Sequence, residues 1–101
     1  MKFRFKLVVG VALIALTSLA PAATPLQVRG LAASCANCHG TSGVAQDGME
    51  SLAGQSKEDL LKKMLDFKSG KKPATIMHQL SKGYTDEQLE QLAAYFSVLK
   101  K

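Results

Sequence analysis

Cysteine is scarce in this chain of 101 residues, and the scarcity closes off several readings at once. With Cys35 and Cys38 as the only two, a four-thiolate zinc site is impossible. A disulfide between cysteines three apart would close too small a loop to add much stability. Aromatic residues are also few, and beyond the first six residues none interleaves with a basic run, so the footprint of a nucleic-acid binder is missing from the rest of the chain. Strand signals are weak throughout, and no internal repeat or low-complexity segment is present. No acid, base and nucleophile form a catalytic constellation either. Glu58, Asp59, Asp86 and Glu87 fall at the starts of expected helices, where the helix dipole accounts for their charge.

What the cysteines do form is Cys35-Ala36-Asn37-Cys38-His39. Cys-x-x-Cys-His is the attachment signature of a c-type haem. Two thiols at this spacing add to the two vinyl groups on one porphyrin edge, and the following imidazole faces the iron. Two other chemistries compete for these residues. A zinc site would have to recruit His39 and His78, at a spacing unlike that of a zinc finger. A thioredoxin-like pair should follow a hydrophobic strand, and none precedes Cys35. The single motif implies one haem c.

Haem c is attached outside the cytoplasm, so the motif calls for an export signal. Lys2, Arg4 and Lys6 form a basic start, and Leu7 to Leu19 is almost wholly apolar, short for a membrane span. Ala20-Pro21-Ala22 fits a small-x-small cleavage site, so residues 1–22 are expected to be a secretory signal cleaved after Ala22, with a periplasmic destination. Residues 23–101 then form a single monohaem domain. Three of the thirteen basic residues leave with the signal, and the remainder barely exceeds the eight acidic ones. A domain this small has little capacity for a self-sufficient core, so the haem is expected to complete it.

Helix signals recur with their caps. Thr24-Pro25 reads as an N-cap followed by proline at the first helical position, opening a helix that runs into the haem motif and ends at Gly40. From Thr41 to Gln55 the chain is rich in glycine (Gly43, Gly48, Gly54), as suits a loop passing close to a flat ligand. Ser56 to Asp59 resembles a capping box ahead of an amphipathic helix. Leu60, Leu61, Met64, Leu65 and Phe67 share one side of it, Lys57, Glu58, Lys62 and Lys63 face water, and Gly70 ends it. Ala74 to Lys82 forms a short helix stopped by Gly83. Thr85 to Gln88 is a second capping box, opening a last helix with a stripe of Leu89, Leu92, Ala93, Phe96 and Leu99. Leu31, four residues before the first cysteine, and Gly30, with Leu92 and Tyr95 on the last helix, are expected to bring the terminal helices together, Gly30 by close backbone approach.

A helix leading into Cys-x-x-Cys-His, a later methionine in a loop-like setting and a C-terminal amphipathic helix together resemble a class I cytochrome c. Within that class the chain is most similar to the cytochrome subunits of flavocytochrome c sulfide dehydrogenases. The residues carrying this are Cys35 to Thr41, Ser51 to Gln55, Asp66 to Lys71, Thr75 to Met77, and Lys82 to Tyr84 through Ala94 to Phe96. The resemblance implies an all-α fold of about four short helices wrapped around one covalently bound haem c. It also implies thioethers at Cys35 and Cys38, His39 as proximal iron ligand and Met77 as distal ligand. The function implied is electron transfer, with an FAD-containing, sulfide-oxidising flavoprotein as donor. A diffusible electron carrier and a sensor with an open iron position are the competing functions.

The residues themselves lead to Met77 by a second route. Met1 leaves with the signal, Met64 lies on an apolar helical stripe, and Met49 is too close to the motif in sequence to reach the opposite haem face. His78 competes directly, but adjacent residues point in different directions, so only one of the pair can coordinate. Relatives often carry a proline where a backbone carbonyl accepts the proximal histidine's N–H. Asp47 to Ser51 contains none, which leaves the partner of His39 open. Lys68, Lys71, Lys72 and Lys82 flank the Met77 segment and could ring a haem edge to steer an acidic partner.

Overall fold

The computed structural model describes Gly10 and residues 23–101; the expected signal and its cleavage site lie outside the described residues. Four helices follow one another, α1 (Pro25–His39), α2 (Lys57–Ser69), α3 (Met77–Lys82) and α4 (Asp86–Ser97), with no strand among the described residues. The all-α expectation is met.

Local chemistry sets three of the four starts. At α1, Thr24 Oγ1 accepts from the Gln27 N–H at 3.2 Å while the Gln27 side chain accepts from the Thr24 N–H at 2.8 Å. Thr85 and Gln88 repeat that reciprocal box at α4, at 3.1 and 2.9 Å. Ser56 caps α2 through the Asp59 N–H at 3.1 Å. Each such cap is worth about 1 kcal/mol. Acidic residues sit in the first turns of α2 and α4, as the dipole favours.

α3 departs from expectation. It begins at Met77 rather than Ala74, and Ile76 at its N-cap position offers no side-chain acceptor. Gly83 closes it in ordinary right-handed geometry, so no left-handed stop is involved. What holds this six-residue helix is Ser81, fully buried, whose hydroxyl donates to the Met77 carbonyl at 2.6 Å.

The core is small. Ala32, Leu60, Leu89, Leu92, Ala93 and Phe96 form one buried cluster, with Leu31, Cys35, Met64, Tyr84 and Tyr95 packed partly against it. α4 supplies four of those six side chains, and α1 and α2 one each. Burying each Leu or Phe is worth about 1.5–3 kcal/mol. α2 packs on α3 and α4, and α1 on α4. The terminal helices do meet, but not through Gly30, where a Cβ would find nothing within 4 Å. Ala32, 4% exposed, is the small residue at the contact. Ion pairs join the elements at their edges, Lys57 to Glu90 at 3.1 Å and Lys68 to Asp86 at 2.8 Å.

Glycine matters most directly after the motif. Gly40 has φ 88° and ψ 149°, and a Cβ there would lie 1.9 Å from the Val44 carbonyl oxygen. Gly43, φ 74°, is wedged against Ala53 and Phe96, and its carbonyl accepts from the N–H groups of Leu52 and Ala53 at 2.8 and 3.0 Å. Of the three loop glycines expected to approach a flat ligand, only Gly48 lines the cleft described below. Gly40→Ala is expected to destabilise the protein by more than the ~1–3 kcal/mol of the strained backbone alone, because Val44 must also move. Denaturant unfolding of the haem-loaded protein measures it.

Candidate functional site

Cys35, Cys38 and His39 stand at positions i, i+3 and i+4 near the end of α1, a spacing that puts all three on one helical face. That face borders a cleft of about 1150 Å³, its open mouth included. Ser34, Met49, Leu52, Leu60, Lys63, Met64, Phe67, Ile76, Met77, Leu80, Tyr84 and Phe96 are among its other walls. The lining is largely apolar. Every helix contributes to it, as does the loop between α1 and α2.

Cys35 is half-buried and Cys38 exposed, both as free thiols. Burial pushes the Cys35 thiol up, against a smaller opposing hydrogen bond from Ser34. His39 is oriented by one contact, Nδ1 to the backbone carbonyl of Glu50 at 2.6 Å. A carbonyl can only accept, so Nδ1 carries a proton, and in the neutral ring Nε2 then keeps its lone pair. This supplies the partner that the proline-free segment 47–51 leaves open in the sequence.

Glu50 is itself held. Its carboxylate takes Lys63 Nζ at 2.5 Å and Gln55 Nε2 at 2.9 Å, and Lys63 also reaches Gln55 Oε1 at 2.8 Å. The Lys63 hydrogen bond keeps the Glu50 carboxyl below the usual carboxylate range, against an opposing effect of burial. Lys63 therefore does not simply face water, as its helical position implies. Lys68 is also committed, to Asp86 and to the Tyr84 carbonyl at 2.8 Å each. Lys72 lies over the Phe67 ring, 5.3 Å from its centroid. Of the four lysines expected to ring the cleft, Lys71 and Lys82 are the exposed ones that form no ion pair among the described residues.

Met49, Met64 and Met77 all line the cleft, whereas His78 does not. His78 Nδ1 is instead buried, with no hydrogen-bond partner among the described residues. The three methionines differ in what holds them. Met64 packs against the core cluster. Met49 precedes Glu50 and so belongs to the side that holds His39. Met77 opens α3, its carbonyl fixed by Ser81. On the α1 side, Tyr84 ties the start of α4 to the motif helix. Its hydroxyl donates to the Leu31 carbonyl at 3.3 Å and contacts the Ser34 hydroxyl.

Sequence reasoning missed Glu50, Gln55, Lys63 and Ser81. Only Ser81 left a local signal, a serine four residues after Met77, positioned to bond back to its carbonyl. Among the described residues no group of three or more His, Cys, Asp and Glu side chains is arranged to hold a bare metal ion.

A helical frame with both thiols and an oriented imidazole on one apolar cleft defines a haem-binding protein, and comparison places it. The profile of the family "Cytochrome c" matches residues 29–100, and the chain belongs to that family. It is 40% identical over 84 residues to the cytochrome subunit of sulfide dehydrogenase from Chlorobaculum tepidum, covering 80% of this chain and 76% of that one. It is 39% identical over 89 residues to cytochrome c4 of Pseudomonas aeruginosa, covering 86% of this chain and 44% of that one. In structure it resembles cytochrome c4 of Acidithiobacillus ferrooxidans, with TM-score 0.70, 26% identity, 81% of this chain and 53% of that one. The chain thus spans about half the length of its cytochrome c4 relatives.

The fold is that of a class I cytochrome c, and the cofactor is one covalently bound haem c. The residues present fit that group. The cleft is apolar, two thiols and an imidazole share one wall, and the bond to Glu50 leaves Nε2 as the free nitrogen of His39. In this cleft the haem supplies a one-electron iron couple. The protein's function is electron transfer.

Proposed function

We propose that this chain is the haem subunit of a periplasmic sulfide-oxidising complex, receiving electrons from an FAD-containing flavoprotein. The observation that carries this reading is the 40% identity to the cytochrome subunit of sulfide dehydrogenase, which extends over most of both chains. Residues 1–22 are the export signal, and 23–101 the single mature domain. No helix among the described residues is long and apolar enough to cross a membrane.

In this reading Cys35 and Cys38 would hold the porphyrin through thioethers, and His39 Nε2 and the Met77 sulfur would bind its iron. The Glu50 carbonyl fixes the His39 ring and raises its basicity, and Ser81 fixes the backbone from which Met77 extends. With His39 and Met77 both bound to it, the iron would offer no open position to a small molecule, which would favour electron transfer over chemistry at the metal.

Purification of the native chain at its own abundance tests the partner. A flavoprotein of stoichiometric amount that oxidises sulfide is the expected companion. A chain that elutes alone at the size of one subunit, reduced by no flavoprotein of the same cell, would instead identify a diffusible carrier.

A further inference from the structure

The loop that supplies the His39 acceptor is closed on itself by the Met49 N–H donating to the Gln46 carbonyl at 3.1 Å and the Ala45 N–H donating to Ser51 Oγ at 2.8 Å. Gln46 to Glu50 is exposed, no proline stiffens the segment from 44 to 52, and Gly48 has nothing within 4 Å of where a Cβ would stand. Yet the Glu50 carbonyl must keep its place 2.6 Å from Nδ1. Besides His39, two residues outside the stretch reach it through side-chain hydrogen bonds. Lys63, midway along α2, grips the Glu50 carboxylate at 2.5 Å and Gln55 Oε1 at 2.8 Å. Gln55 in turn donates to Glu50 Oε1 at 2.9 Å and to the Ser51 carbonyl at 2.6 Å. α2 is anchored in the core by Leu60, 4% exposed and one turn before Lys63. A rigid helix thereby fixes the loop from one side.

The geometry points to Lys63 and Gln55 as positioning residues for the proximal histidine: by clamping Glu50 and Ser51 they hold the Glu50 carbonyl on His39 Nδ1–H and so set the donor strength of Nε2. This inference rests on His39 being the iron ligand. A carbonyl kept in place strengthens the imidazole as a donor and favours ferric iron. Loosening the clamp therefore weakens the donor and raises the potential. The Lys63–Glu50 pair is partly exposed, with side chains 33% and 49% accessible, so its worth as a bare salt bridge is small. Its effect on histidine geometry is separable from its effect on stability.

The test uses the reduced, haem-loaded protein and follows solvent exchange of the His39 Nδ1 proton by nuclear magnetic resonance. Gln55→Leu, which changes no charge, and Lys63→Gln are each expected to speed that exchange at least tenfold. Amides in the core, at Leu89 and Leu92, should exchange at the wild-type rate. Lys63→Arg, which keeps the donors, should restore slow exchange. The midpoint potential of Gln55→Leu should move positive. Unchanged Nδ1 exchange in both disruptive variants would overturn the clamp, as would acceleration matched by the core amides, which marks a purely structural role. The wild-type spectrum checks the underlying reading separately: a His39 ring without the large ring-current shift of an axial ligand would refute the ligand assignment itself.

Discussion

Cys35→Ser/Cys38→Ser is expected to yield a chain that has lost most of its helical circular dichroism and unfolds without a cooperative transition. The reason lies in how little the polypeptide buries by itself. The core cluster has six side chains, two of them alanine. α2 contributes one of them, and the only fully buried residue of α3 is Ser81. Several of the partners that flank this cluster, Cys35, Leu52, Met64 and Tyr84, also face the cleft, so their second side is covered only when the cleft is filled. α3, with six residues, is far below the ~12–15 at which a helix becomes marginally stable alone. Thioether attachment supplies the missing apolar body and ties it to α1. Wild-type helicity and a cooperative melt in the double variant would show that the polypeptide core suffices.

Met77→Ala is expected to lower the midpoint potential by on the order of 0.1 V or more, a fraction of the ~0.8 V that axial ligands command, and to let the ferrous protein bind carbon monoxide. A thioether stabilises ferrous iron relative to a second nitrogen or water ligand, so its loss favours the ferric state. The expectation is specific to position 77. Met64→Leu keeps the volume on the core side and should leave the potential near that of the wild type. Met49 sits on the His39 side, beside Glu50, and its replacement should not open the iron. A potential insensitive to Met77→Ala would move the distal ligand elsewhere.

How legible these features were depended on how local their causes are. α1 and α4 are written in short local signals, Thr24-Pro25 and the box from Thr85 to Gln88, and both start where those signals place them. The stripe Leu89, Leu92, Ala93 and Phe96 is buried as its period requires. α3 was less legible because Ile76 carries no capping side chain and the stabilising contact, Ser81 to Met77, runs backwards within the helix. The close contact between terminal helices falls to Ala32 rather than Gly30, a difference of rotation about α1 that its weakly amphipathic sequence does not specify. Least legible was the support of His39. Its acceptor is a main-chain carbonyl, which any residue has, and Lys63 joins Glu50 across thirteen positions. Charged residues on a helix read as solvent-facing unless a partner from another element is known.

The near-infrared absorption of the ferric protein tests the central claim most directly, because the methionine-to-iron charge-transfer band there arises only when a thioether sulfur binds the iron. With His39 and Met77 as axial ligands, the wild-type protein shows this band and Met77→Ala loses it, while the haem stays covalently attached in both. A wild-type spectrum without the band, or a band that survives in Met77→Ala, would contradict the His39/Met77 site.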